Sequence, residues 1–214
     1  MGRLPRSKEE VELIKGRIIE EALHMIAESG YDGFSIRKLG PKLGVAPKTV
    51  YNYFQNKDEV YLHVLTRGFE VLYDELHAQA LRMDDPFDKL VAMAKAFAHF
   101  GFEQSNYYDI MFTLHVPKFN DYVGTPLEGP AHHELTIALK SLTLFIDVME
   151  EISSKYGMIK KDDARLCVVQ LFVGMHGIVS LNNNSMLDYV HDPSQPITDQ
   201  LLHRILAPFN PHPA

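Results

Sequence analysis

The sequence predicts an all-α protein, and three observations carry that expectation. Apolar residues recur at spacings of three and four along most of the chain, as at Val11, Ile14, Ile18, Ala22 and Met25, which is the period of one helical face. No segment of useful length alternates apolar with polar residues as a half-buried strand does. Helix punctuation stands where the periodic runs begin and end, with Ser35 and Asn56 at starts and Gly30 and Gly157 at stops. About nine helices are expected.

The chain up to Lys8 holds Arg3, Pro5 and Arg6 and reads as an irregular tail or a basic arm. The first helix follows, and Gly30 can end it by adopting a left-handed conformation. Ser35 can cap the second helix, its hydroxyl accepting an N–H of the first turn, with Ile36, Leu39 and Leu43 facing inward. Gly44 turns the chain, and Pro47 suits the first position of a third helix, where no N–H is required. Val50 and Phe54 are expected to pack on the first helix. Asn56 can cap a fourth helix, with Glu59 at capping-box spacing. The stripe of that helix, from Val60 and Val64 to Leu72 and Leu76, runs to about Arg82.

Further helices are expected over 86–103 and 106–115, before a Pro- and Gly-rich loop at 116–129. A long helix over 131–156 stops at Gly157. The most apolar helix, 161–182, breaks at Asn182-Asn183-Asn184-Ser185, and a last helix covers 198–206. Two features sit awkwardly in this scheme. Gly40-Pro41 falls inside the second helix, where proline costs on the order of 3 kcal/mol against alanine and glycine about 1. That helix should be short, kinked or held by packing. Ala46 leaves the third helix without a polar cap, a loss of about 1 kcal/mol.

A length of 214 residues fits one large or two modest domains, and the expected division is 1–55 and 56–214. The single cysteine, Cys167, sits in an apolar run and reads as a small buried residue. No apolar stretch is both long and uninterrupted enough to span a bilayer, and the first eight residues lack the apolar core of a signal peptide, so a cytoplasmic location is expected. The net charge of −7 is unevenly spread. Residues 1–57 hold ten Lys or Arg against seven Asp or Glu, and the remainder holds eleven against twenty-one. A mildly basic head on an acidic body has the polarity that approach to phosphate requires.

Among the eleven histidines, His132 and His133 are adjacent and would point to different sides of a helix, so neither a metal site nor a cofactor is expected. No Gly-rich phosphate loop, nucleophile elbow or paired-carboxylate pattern is present, which argues against an enzyme.

Residues 35–57 read as two short helices joined at Gly44, a helix-turn-helix able to lay its second helix in the major groove of DNA. The outer face of that second helix offers Lys48, Thr49, Asn52 and Tyr53. Lys48 can donate to guanine or to phosphate, Thr49 can meet a base edge or a thymine methyl, and Asn52 can read adenine. Tyr51, Tyr53 and Lys57 suit phosphate oxygens, which fix register without reading sequence.

The segments Phe34-Ser35-Ile36-Arg37-Lys38-Leu39, Leu43-Gly44-Val45-Ala46, Thr49-Val50-Tyr51-Asn52-Tyr53-Phe54 and Asn56-Lys57-Asp58-Glu59-Val60 closely resemble the N-terminal domain of tetracycline-repressor (TetR-type) regulators. The resemblance implies a three-helix DNA-binding head, an all-helical ligand-binding body and a homodimer that binds double-stranded DNA at a palindromic operator as a ligand-responsive repressor. By position, Arg37, Pro47, Lys48, Thr49 and Asn52 fall where the family meets bases, and Tyr51, Tyr53 and Lys57 where it grips phosphates. The body resembles a subgroup marked by a Trp-His-Gly motif, which stands here as Met175-His176-Gly177, with an aromatic segment at Tyr107-Tyr108-Asp109-Ile110-Met111-Phe112.

Phe97, Phe100, Tyr108, Met111, Phe112 and His115, with His176, are candidates to line a pocket for an apolar or amphipathic small molecule. Residues of these types at helical spacing are more often plain core than pocket lining. The helices at 131–156 and 161–182 are expected to pair with their symmetry mates as a four-helix bundle. The competing reading is an all-helical enzyme or small-molecule carrier whose first helices only resemble a DNA reader. Burial of the outer face of 47–54 would favour it.

Overall fold

The computed structural model describes residues 7–190 and 197–211. The basic arm read at Arg3 and Arg6 lies outside them. Among the described residues there are eleven α-helices and no strand. They are α1 (Lys8–Gly33), α2 (Ile36–Lys42), α3 (Pro47–Val50), α4 (Lys57–Ala80), α5 (Pro86–Glu103), α6 (Ser105–Tyr108), α7 (Phe119–Tyr122), α8 (Glu128–Tyr156), α9 (Ala164–Asn183), α10 (Leu187–Val190) and α11 (Thr198–Leu206).

The two helices beyond the expected nine, α7 and α10, are four residues each, too short for periodicity to reveal. The helix expected over 106–115 is instead the single turn α6 followed by a wider π-type turn, Asp109–Thr113, closed by the Leu114 N–H donating to the Asp109 carbonyl at 2.7 Å.

Local chemistry sets most boundaries. The Ser35 hydroxyl accepts the Lys38 N–H at 3.3 Å, and the Asn56 side chain accepts the Glu59 N–H at 2.9 Å. Asp85 opens α5 by accepting the Phe87 N–H at 2.8 Å, and it is held from the end of α8 by the Lys155 ammonium at 2.7 Å and by the Tyr156 hydroxyl. Lys155 and Tyr156 keep the Asp85 carboxyl well below the usual carboxylate range. Gly30 takes φ of +71° and breaks α1, but one further turn follows before Phe34.

The chain forms two compact units. One holds the described residues up to Gly68 together with Asn106–Thr136, and the other holds Phe69–Ser105 with the described residues from Ile137 on. In the first unit α1 is the spine, burying Ile18, Ala22, Leu23, Met25 and Ile26. The Tyr107 hydroxyl donates to Glu20 of α1 at 3.3 Å, and the Tyr61 hydroxyl of α4 donates to the Pro117 carbonyl at 3.3 Å.

Glu134 of α8 is only 8% exposed in this unit. It faces Tyr61 of α4, Tyr122 of α7 and Lys118 just before α7. Burial pushes its carboxyl up from 4.5 to about 7, with Lys118 opposing the shift. The folded chain therefore holds this proton more tightly than the unfolded chain. The stability it contributes is full below pH 4.5 and is lost as pH rises through about 7. Glu134→Gln should accordingly be more stable than the parent at pH 8 by on the order of 1–3 kcal/mol, with the gap closing toward pH 5. Thermal unfolding of both proteins at the two pH values measures this, and a gap independent of pH would contradict it.

In the second unit α5 packs against α9 and α11 around Leu90, Met93, Phe97, Phe100, Met175 and Ile178. Phe97 meets Phe172 edge-on at 5.7 Å, and Phe172 stacks on His176 at 5.9 Å. The Asn183 amide donates to the Gly101 carbonyl at 2.8 Å. Contrary to the sequence expectation, α9 is long and apolar enough to cross a bilayer by length and composition alone. It leaves Leu166 and Val173 two-thirds exposed and Val169 and Leu181 nearly half exposed.

Candidate nucleic-acid interface

The turn between α2 and α3 is tied by backbone bonds. The Leu43 N–H reaches the Leu39 carbonyl at 3.1 Å, and the Val45 N–H reaches the Gly40 carbonyl at 3.0 Å. Gly44 takes φ of +70°, the left-handed turn its position called for. Gly40, read from sequence as a weakness, lies against the start of α3. A Cβ there would lie 2.9 Å from the Pro47 nitrogen and 3.0 Å from both the Pro47 Cα and the Val45 carbonyl oxygen. Only a residue with no side chain fits between the two helices.

α3 itself is one turn. Ala46 provides no side-chain cap, as expected, and Pro47 stands at its start. Helical bonding continues past it, from the Tyr51 N–H to the Pro47 carbonyl (3.3 Å) and from the Phe54 N–H to the Val50 carbonyl (3.1 Å). The rod read over 47–54 is therefore present, its second half as successive turns. Val50 and Phe54, 0% and 1% exposed, anchor it from beneath. Burying such side chains stabilises by about 1.5–3 kcal/mol each. The Phe54 ring meets the His63 ring edge-on at 5.3 Å, and burial lowers the His63 pKa.

With that face buried, the opposite one is outward. Lys48, Tyr51, Asn52 and Arg37 are exposed, Tyr51 to 49%, while Pro47, Thr49, Tyr53 and Lys57 are half-buried. Among the described residues no carboxylate lies within ion-pairing distance of Lys48 or Arg37. The neighbouring lysines differ. Lys38 donates to the Gly33 carbonyl at 2.9 Å, and Lys42 lies 4.0 Å from Glu21 and 3.9 Å from Glu28. Lys57 sits over the ring of Tyr31, whose hydroxyl donates to Asp58. Sequence reasoning missed Tyr31 and Asp58 because they are 27 residues apart. The only signal was an aromatic residue directly after the Gly30 break.

The candidate ligand residues fall in both units. In the first, Tyr108 and Met111 are buried, Phe112 is half-buried and His115 is exposed, the π-type turn having ended before it. In the second, Phe97 and Phe100 are buried and His176 is half-buried, with burial lowering its pKa. The second unit also has an open groove of about 720 Å³, lined by Glu75, Met83, Lys95, His99, Phe102 and Leu202. None of the predicted ligand residues lines it.

An all-helical chain with a buried-base, exposed-face helix-turn-helix at its head is a DNA-binding regulator, and comparison with known proteins agrees. Residues 18–64 match the family described as bacterial regulatory proteins, tetR family, and residues 90–206 match the tetracyclin repressor-like C-terminal domain. The second match alone spans more than half of the chain, and the chain belongs to the TetR family of transcriptional regulators. The enzyme or carrier reading falls with that assignment.

A curated relative, the HTH-type transcriptional activator FasR of Mycolicibacterium smegmatis, is 27% identical over 170 residues, covering 79% of this chain and 69% of FasR. Other curated regulators match over half or less of their own length. Two solved structures share the fold. The transcriptional regulator FadR of Bacillus subtilis in complex with stearoyl-CoA has a TM-score of 0.68 at 20% identity, over 90% of this chain and 98% of that one. The fatty acid degradation regulator FadR of Bacillus halodurans has a TM-score of 0.66 at 20% identity, over 96% of each.

Proposed function

We propose that this regulator binds a palindromic operator as a homodimer in the cytoplasm and releases it when an apolar or amphipathic small molecule occupies its body. One observation carries the DNA-reading part: the outward Lys48, Tyr51 and Asn52 of 47–54 above the buried Val50 and Phe54. On this reading Arg37, Pro47, Lys48, Thr49 and Asn52 meet bases, and Tyr51, Tyr53 and Lys57 meet phosphates. Residues 1–55 form the reading head and 56–214 the sensing and dimerising body. The body is taken as a variant of the Trp-His-Gly subgroup, carrying Met175-His176-Gly177.

The exposed apolar residues Leu139 of α8 and Leu166, Val169, Val173 and Leu181 of α9 support a subunit interface built from those two helices. A twofold dimer would set its recognition helices about 34 Å apart, one turn of DNA. Phe97, Phe100, Tyr108, Met111, Phe112, His115 and His176 remain the candidates for effector contact. The fold neighbour named for fatty acid degradation, and the stearoyl-CoA complex of the other, support a long acyl chain as the effector class. Such a ligand acts only as far as it binds the two head spacings with different affinity, with displacement of α4 as the link.

The test begins by recovering a duplex from a random DNA pool with the wild-type protein, then titrating the complex with stearoyl-CoA. A twofold-symmetric sequence bound with steep salt dependence, and released by the acyl-CoA but not by free coenzyme A, is the expected result. Failure to enrich any sequence would end the DNA reading, and indifference to acyl chains would end the effector class. An activator sharing the same head is the second reading, favoured by the likeness to FasR, a transcriptional activator. A promoter–reporter fusion, which rises or falls on deleting the regulator, separates the two.

A further inference from the structure

Lys57 differs from the other lysines around the helix-turn-helix in what holds it. Its ammonium lies 4.1 Å from the centroid of the Tyr31 ring, with no carboxylate paired to it among the described residues. The Tyr31 ring is fixed on two other sides. It meets the Tyr61 ring edge-on at 5.0 Å and 67°, and its hydroxyl donates to the Asp58 carboxylate in the first turn of α4. The break at Gly30 delivers Tyr31 to this place, one turn beyond the straight run of α1.

We propose that Tyr31 is a positioning residue for DNA binding: its ring seats the Lys57 ammonium, and its bond to Asp58 locks the ring, so that Lys57 meets a phosphate already ordered and still charged. The inference rests on the reading of Lys57 as a phosphate contact.

The physical case is one of order without neutralisation. A free lysine loses rotamer freedom when it binds, and a salt-bridged lysine must first give up its carboxylate. An aromatic face attracts the ammonium through its quadrupole yet leaves the positive charge in place. Lys42, close to Glu21 and Glu28, shows the alternative within the same head. The hydroxyl–carboxylate bond also ties the end of α1 to the start of α4, so the seat stays fixed relative to the helix that carries Lys57.

The experiment measures affinity for the duplex recovered from the random pool over a series of KCl concentrations, for the wild type, Lys57→Met, Tyr31→Leu and the double variant. Lys57→Met should lower the magnitude of the salt slope by about 0.9 for each head engaged. Tyr31→Leu should weaken binding on the order of fivefold per head in the presence of Lys57 and have no effect in its absence. A loss from Tyr31→Leu that is the same with and without Lys57 overturns the proposal and leaves the phosphate reading intact. An unchanged slope in Lys57→Met overturns both.

If Tyr31→Leu fails to give the helical circular-dichroism signal, Tyr31→Phe and pentafluorophenylalanine at position 31 replace it. These keep the shape of the ring but differ in the sign of its face. Weaker binding with the fluorinated ring than with Tyr31→Phe supports the seat, and equal binding overturns it.

Discussion

The double variant Lys48→Ala, Tyr51→Ala should lose operator binding while keeping its helical content and unfolding temperature. Both side chains are exposed, neither contributes to the buried base formed by Val50 and Phe54, and alanine is the best helix former. The fold has no reason to change. Affinity does, because each base contact is worth about 1–3 kcal/mol and each phosphate contact adds to the salt-dependent part of binding. In the proposed dimer every substitution counts twice, so a loss of at least a thousandfold is expected at moderate salt. Fluorescence anisotropy with the selected duplex, alongside circular dichroism, measures both halves of the expectation. Wild-type affinity in this variant would remove the exposed face of 47–54 from the account altogether.

Gly40→Ala should damage the head from within. The new Cβ would approach three backbone atoms, the Pro47 nitrogen and Cα and the Val45 carbonyl oxygen, at 2.9–3.0 Å. Backbone cannot rotate aside as a flexible side chain can, so α3 must move away from α2. Overpacking of this kind costs about 1–3 kcal/mol. That outweighs the gain of up to about 1 kcal/mol that alanine brings over glycine inside a helix. DNA affinity should fall further than stability, because the displaced rod also misaligns every group on its face. Gly16→Ala is the matched control. It lies on α1 with nothing within 4 Å of the added Cβ, and it should stabilise the protein slightly. Thermal unfolding and anisotropy of the two variants decide the matter, and equal behaviour would remove the steric argument.

Much of the fold was legible because its signals are local. Ser35, Asn56, Gly44 and Pro47 each act within a few residues of themselves, and the sequence placed the α5 and α11 boundaries at Pro86–Glu103 and Thr198–Leu206. The outward face of 47–54 was legible for the same reason: once Val50 and Phe54 are assigned to the core, Lys48, Tyr51 and Asn52 point away, while Thr49 and Tyr53, expected beside them, are half-buried at the flanks. Single turns such as α7, and the π-type turn at Asp109–Thr113, were hidden because they are shorter than the period that reveals a helix.

Long-range partnerships were hidden for a different reason. Glu134 carries no local mark in the sequence, and only the fold buries it close to Tyr61 and Tyr122. Gly40 was misjudged by the same limit. Helix propensity is a property of one residue, whereas the room beside it belongs to two helices.

The tight contact at Gly40 has an outcome for how such a head diversifies. The pose of the recognition rod is fixed by a hydrogen atom on one side of it, while the side chains proposed to read bases project from the other. Frame and lettering are thus carried by different residues. Exchanging Lys48, Thr49 and Asn52 should redirect the protein to another operator without disturbing the angle at which it arrives, so a single scaffold can serve many addresses.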